Sequence, residues 1–156
     1  MFWALHDSPV GPLVLAVNGA GALTHVQFAH RFTPPRSWQR DESRLAEVRR
    51  QLDAYFARRL QRFDLPLAPA GTAFQQRVWQ ALRNIPFGET RTYGELARMI
   101  GQPGAARAVG AANGANPIAI IIPCHRVIAT GGRLGGYAGG LDIKRRLLEL
   151  EGITLP

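Results

Sequence analysis

The feature that most restricts the fold is a proline-bearing stretch of small residues, LPLAPAG over 65–71, which separates a strand-rich half from a helix-rich one. Such a stretch reads as a linker, and a domain boundary is expected near residue 70. Before it, residues 2–28 read as a β-meander. Pro12 to Val17 and Ala22 to Phe28 are strand-like, and Asn18-Gly19-Ala20-Gly21 is a turn signal between them. The polar segment RFTPPRSWQRDES interrupts the pattern. Leu45, Val48, Leu52, Tyr55 and Phe56 then recur at helical spacing between Arg44 and Leu60, with Asp41 or Ser43 available as a cap.

After the boundary the signals are helical. Thr72 with Gln75 and Thr92 with Glu95 match the capping box, so helices are expected to begin near residues 73 and 93. Gly101-Gln102-Pro103-Gly104 stops the second of these, and a short helix follows from Ala105 to about Asn113. Helix, glycine-containing turn, helix is the layout of a helix-turn-helix, although short helices around a Gly-Pro turn also occur in ordinary all-α packing. Asn116-Pro117 and a strand-like run, Ile118 with Ile120 to Ile122, lead into Pro123-Cys124-His125-Arg126-Val127. The glycine-dense GGRLGGYAGG (131–140) fits neither common phosphate-binding fingerprint. Asp142 is the expected cap of a last helix, IKRRLLELE, ended by Gly152. The fold class is α+β: a small N-terminal antiparallel sheet and helix domain over 1–70, then a mainly helical domain over 71–156.

Composition narrows function. The 156 residues carry 19 Lys+Arg against 11 Asp+Glu, a net charge of +8, and Lys144 is the one lysine. Between Arg91 and Leu141 five arginines face a single acid, Glu95, which suits phosphate contact or a merely solvated surface. No apolar run reaches the roughly 18 residues of a membrane span, and the opening MFWALHDSPV lacks the basic start of a secretory signal. One cysteine allows no internal disulfide and no Cys-rich zinc site. His6, His25 and His30 make at best an incomplete ligand set, so no metal is expected. These features point to a soluble, cytoplasmic protein.

The short helix AARAVGAAN carries one long polar side chain, Arg107, among alanines and a glycine. Reading bases in a major groove needs several reaching donors and acceptors, which this helix lacks. It can approach a groove closely, and Arg107 can act as a wedge there; equally, the alanines can pack inward and leave Arg107 solvated. Cys124 is flanked by His125 and Arg126, cations of the kind that lower a thiol pKa and favour the nucleophilic thiolate. His125 is a candidate base, with Glu149 or Glu151 to orient it. Adjacent residues point to different sides of a regular element, so a sharp turn or a bridging water is needed between thiol and imidazole.

PCHRV resembles the active-site signature of the O6-alkylguanine-DNA alkyltransferases, the methylated-DNA–protein-cysteine methyltransferases. So do, in order, FQQRVWQAL (74–82), IPFGETRTYGELA (85–97), AARAVGAANGANPI (105–118), GGYAGG (135–140) and the final LLELEG. DSPVGPL and the LDAYF helix resemble the family's N-terminal domain more loosely. The resemblance implies that Cys124 accepts an alkyl group from guanine O6, irreversibly and once per molecule. His125 takes the thiol proton through a water and Glu151 holds His125. Tyr93 donates to guanine N3, and Asn116 braces the turn before the active site. Arg107 fills the gap left by a base flipped out from the minor-groove side.

The resemblance further implies that the backbones of Cys124 and Val127 contact the guanine edge, and that the Ala138 amide contacts O6 where relatives have serine. Tyr137, Ala105, Ala106, Thr90, Arg91 and Thr92 complete the implied DNA and substrate contacts. The same resemblance implies no cofactor, duplex DNA carrying O6-alkylguanine as partner, a monomer in solution, and leaves open O4-alkylthymine repair and cooperativity on DNA. Two readings remain beside it: a helix-turn-helix regulator without catalysis, which leaves PCHRV unused, and a cysteine hydrolase, for which no oxyanion-hole signature is evident.

Overall fold

The computed structural model describes residues 1–155, which form two compact units divided between Ala70 and Gly71. In the first unit, β1 (Phe2–His6), β2 (Leu13–Val17) and β3 (Leu23–Phe28) make an antiparallel meander. Every residue of β2 is buried, since it lies between two neighbours in the sheet and has core on both faces. A fourth strand, β4 (Gln39–Arg40), pairs with β1 in parallel. The three long strands are antiparallel as expected, and only this edge pairing departs from it: the proline-bearing segment read as an interruption returns along the open edge of β1, which would otherwise expose unpaired backbone.

The helix α1 (Ala46–Phe56) buries Val48, Leu52 and Tyr55, as its period implies. It follows a 3₁₀ turn, Ser43–Leu45, at which Asp41 accepts from the amides of Ser43 and Arg44. Gln51, also buried, exchanges hydrogen bonds with the backbone of Asp64 and so ties the helix to the chain beyond it.

The second unit is built on α2 (Ala73–Leu82), α3 (Tyr93–Met99), α4 (Ala106–Gly114) and α5 (Leu141–Leu150), with a two-stranded parallel sheet of β5 (Arg91–Thr92) and β6 (Val127–Ile128). Both capping boxes form. Thr72 accepts from Gln75 N at 3.1 Å and Thr92 from Glu95 N at 3.1 Å, and each Gln or Glu side chain reaches back to the cap amide. Helices α3 and α4 pack together around the intervening turn, and α2 packs on α4, with the Trp79 indole donating to Ala112 O at 2.9 Å. A Cβ at Gly71 would overlap the Trp79 ring, so only glycine fits where the linker meets α2.

Two local expectations are overturned. Ile118 to Ile122 is a buried turn rather than a strand: Ile121 N bonds Ala119 O, Ile122 N bonds Ile118 O, and Ile120 has φ +72°. For a β-branched residue that backbone is strained by about 1–3 kcal/mol, which the surrounding structure must hold in place. Asp142 does not cap α5; Gly140, with φ +104°, occupies the cap position and Asp142 lies in the first turn. An aspartate there still favours the helix through its N-terminal partial charge. Among the described residues no helix is long and apolar enough to cross a membrane, and no three His, Cys, Asp or Glu side chains gather as a cation site.

Candidate active site

Cys124 begins a 3₁₀ turn, Cys124–Arg126, between the strained isoleucine turn and β6. Asn116 fixes the approach from inside the preceding loop. Its Nδ2 donates to Ile122 O at 2.8 Å and its Oδ1 accepts from Ile118 N at 3.0 Å, so one buried amide satisfies both ends of the turn. The β5–β6 pairing sets Arg91 opposite Val127 and Thr92 opposite Ile128. It thereby places the start of α3, where Tyr93 stands, beside the strand leaving the cysteine turn. The Tyr93 ring lies over Gly110 of α4 and against Gly135, whose φ of +70° and missing Cβ admit its hydroxyl. A Cβ at Gly135 would sit 3.3 Å from that oxygen.

The cysteine turn is sealed. Cys124 is 6% exposed, His125 0% and Glu151 5%. His125 Nε2 and Glu151 Oε2 are 2.7 Å apart, so of the two acids considered for orienting the imidazole it is Glu151 that reaches it. A carboxylate partner makes Nε2 the protonated nitrogen, which leaves Nδ1 the acceptor. That atom is buried and has no hydrogen-bond partner among the described residues. Arg126 turns away from the thiol. Its Nε and Nη2 donate to Glu151 at 2.8 and 3.1 Å, and its Nη1 donates to Ile85 O at 2.7 Å. Gly88 N adds a fourth donor to Glu151 at 3.2 Å.

These partners decide the protonation states. Burial alone would raise the Glu151 carboxyl, but the hydrogen bonds and charges of His125 and Arg126 hold it far below the usual carboxylate range. Burial lowers the His125 imidazole despite Glu151, keeping it neutral. Burial also pushes the Cys124 thiol up, against weaker pulls from Asn116, Lys144, its own backbone and Tyr137. The expectation that flanking cations lower this thiol is thus corrected: desolvation wins, because Arg126 spends its charge on Glu151. The resting group is a thiol, and a base is required to make it a nucleophile. The Tyr93 hydroxyl is likewise raised, by burial and then by Cys124, so it holds its proton near neutral pH.

The remaining candidates divide by exposure. Arg107 projects from α4 exposed, with Ala105 at the helix cap and Ala106 half-buried beside it. Arg91 pairs with Glu89 at 3.0 Å and donates to Thr90 O, while Thr92 is committed to capping α3. Val127 is buried, Tyr137 half-buried, and Ala138 exposed on the glycine loop.

Sequence reasoning missed two buried polar residues here. Lys144 is 0% exposed; its Nζ donates to Val127 O at 2.7 Å and Gly136 O at 3.0 Å, and burial lowers its pKa to about 8. Asn113 is 5% exposed, with Nδ2 3.4 Å from Cys124 O. A signal existed for both. Lys144, Leu147, Leu148 and Glu151 follow i, i+3, i+4, i+7, as do Val109, Ala112, Asn113 and Asn116, so each polar residue shares the apolar face of its helix.

Known proteins share both the sequence and the fold. The model of the 6-O-methylguanine DNA methyltransferase DNA-binding domain matches residues 73–153, and that of the same enzyme's ribonuclease-like domain matches residues 1–69. The chain belongs to the 6-O-methylguanine DNA methyltransferase family. A methylated-DNA–protein-cysteine methyltransferase of Methanosarcina acetivorans is 56% identical over 155 residues, covering 97% of this chain and 99% of that one. One of Mycobacterium leprae is 57% identical over 147 residues, covering 93% and 88%. Among solved structures of this methyltransferase family, Mycobacterium tuberculosis OGT in complex with DNA superposes with a TM-score of 0.92 at 54% identity, covering 97% of this chain and 92% of that one.

Proposed function

We propose that this chain repairs DNA by moving the alkyl group of O6-alkylguanine onto Cys124, once per molecule. The observation that carries the reading is the buried His125–Glu151 pair next to Cys124 in the chain, in which the imidazole is anchored at Nε2 and unbonded at Nδ1. A water between the Cys124 thiol and Nδ1 carries the thiol proton to His125, and Glu151 stabilises the imidazolium that forms. The thiolate sulfur attacks the alkyl carbon, an S–C bond forms, and the C–O bond breaks with its electron pair going to guanine O6. Tyr93 donates to guanine N3, so the base leaves neutral, and the Ala138 amide faces O6. The product thioether has no mild route back, which makes the protein its own consumed reagent.

A base inside a duplex is out of reach of a buried thiol, so it must be extruded, at a cost of roughly a few kcal/mol. Helices α3 and α4 serve as a helix-turn-helix in which α4, nearly bare of long side chains, enters the minor groove with Arg107 filling the gap. Arg91, Thr90, Ala105 and Ala106 line the approach. Residues 71–156 are the DNA-binding and alkyl-acceptor domain in this reading, and the Cys124 and Val127 carbonyls accept from the guanine 2-amino edge beside Tyr137. The acceptor must stay reduced, which suits the cytoplasm. A regulator without catalysis leaves the buried Cys124 and the His125–Glu151 pair without a task.

Intact mass after incubation with an O6-methylguanine duplex tests the reading. One added methyl, mapped to the Cys124 peptide and saturating at one per molecule, is expected. Repeated turnover, or an unmodified Cys124, would overturn it.

A further inference from the structure

The two carbonyls assigned to the guanine edge share an unusual support: each lies within reach of a buried polar side chain, and one of these, Lys144, also pulls weakly on the Cys124 thiol. Lys144 donates to Val127 O, and Asn113 lies 3.4 Å from Cys124 O. A lysine with no exposed surface is costly to bury, and a methionine of the same length would pack there without that cost. What the ammonium adds is the ability to gather two carbonyls at once. Val127 O and Gly136 O come from different segments, β6 and the glycine loop, and both meet the same Nζ within 3.0 Å. In the reading above these segments flank the base slot, with Val127 on the 2-amino side and Ala138, two residues past Gly136, on the O6 side.

We propose that Lys144, seconded by Asn113, is a positioning residue for base specificity: it fixes the direction and spacing of the carbonyls that accept the guanine 2-amino group, so that bases without that group are rejected. The inference rests on the alkyl-transfer reading. A carbonyl has two lone pairs. With one of them tied to Lys144, the peptide plane of Val127 cannot turn and the second lone pair keeps its aim into the slot. An acceptor held this way is left unpaired when the amino group is missing, which is how a site built for a substrate N–H discriminates. A loosened carbonyl can turn to water instead, and discrimination falls. Thymine presents an oxygen at the corresponding edge, so the same carbonyls repel it.

The test uses the full chain and two duplexes, one carrying O6-methylguanine and the other O6-methylhypoxanthine, in which hydrogen replaces the 2-amino group. Single-turnover rate constants are compared; a misfolded fraction lowers the amplitude and leaves the rate constant untouched. Wild type should favour the guanine lesion by about tenfold or more. Lys144→Met should reduce that ratio to about threefold or less, mainly by slowing the guanine substrate. Lys144→Gln, which keeps an NH₂ donor group on a shorter, uncharged side chain, should fall between, and Asn113→Leu should shift the ratio the same way by less. Equal slowing of both substrates in the lysine variants, or a wild-type ratio near one, overturns the proposal. If Lys144→Met yields no folded protein, the ratios of Lys144→Gln and Asn113→Leu decide. Failure of wild type to transfer from O6-methylguanine at all would instead overturn the alkyl-transfer reading beneath it.

Discussion

Replacing Glu151 with glutamine keeps the shape of the side chain and removes one charge where four donors converge. The carboxylate accepts from His125 Nε2, from Arg126 Nε and Nη2, and from Gly88 N, at 2.7 to 3.2 Å. A glutamine offers a single acceptor oxygen and turns an NH₂ toward donors that need acceptors. Arg126, 6% exposed, keeps its charge and loses its counterion. Breaking one side of a buried ion pair typically costs about 3–5 kcal/mol. With a urea m-value of about 1–3 kcal/mol/M, the lower figure moves the midpoint by about 1–3 M.

The pH dependence supplies an independent check. The folded carboxyl titrates well below its ordinary 4.5, so the unfolded chain takes up a proton first as pH falls. The stabilisation from Glu151 is therefore whole at pH 7 and drains away below about pH 4.5. Glutamine gains no proton, so the gap between wild type and variant should narrow from pH 7 to pH 3. Urea unfolding read from the Trp79 indole N–H resonance, which reports the unit holding the site, measures both quantities. Equal midpoints at pH 7, or a gap that stays constant down to pH 3, would refute the assignment of that stabilisation to the charged carboxylate.

Three further outcomes are expected. Tyr93→Phe keeps the ring against Gly110 and Gly135 and should slow single-turnover transfer by at least about tenfold, with the melting temperature unchanged; a wild-type rate removes the hydroxyl from the mechanism. Arg107→Ala should impair transfer from duplex DNA far more than from free O6-benzylguanine, because only the duplex leaves a gap to fill; equal losses would make Arg107 a residue of the fold. For Lys144, whose folded pKa near 8 lies below its ordinary 10.5, the unfolded chain binds the extra proton between those values. Unfolding free energy should accordingly rise with pH across that window in wild type relative to Lys144→Met, and parallel pH curves for the two would contradict a buried ammonium.

The parts of the fold legible in the sequence were those written locally. Both capping boxes lie within four residues, and each sets a helix start without help from the rest of the chain. The pairing of Arg91–Thr92 with Val127–Ile128 joins segments more than thirty residues apart, each too short to carry a strand pattern. The isoleucine run misled because β-branched residues favour strands, yet Pro117 and Pro123 bound it and the Asn116 side chain supplies the backbone partners a neighbouring strand would have given. At the site, residue types pointed to Cys124, His125 and Glu151. Their electrostatics did not follow from types, since the direction of the thiol shift depends on Arg126 facing Glu151 and on the burial of Cys124.

The interior position of Lys144 also fixes what kind of basic surface this molecule presents. Of its 19 cationic side chains one is lysine, and that one has no exposed area. Apart from the N-terminal amine, the fixed exterior positive charge is therefore guanidinium, which stays protonated up to about pH 12 and is weakly hydrated. Attraction to a polyanion should not weaken in alkaline buffer as a lysine-rich surface would above pH 10. Acylating reagents and acetyl-transfer enzymes, which neutralise lysine patches on many basic proteins, meet no exposed side-chain amine among the described residues. Reagents aimed at vicinal-dicarbonyl chemistry with arginine, by contrast, act on nearly the whole of it.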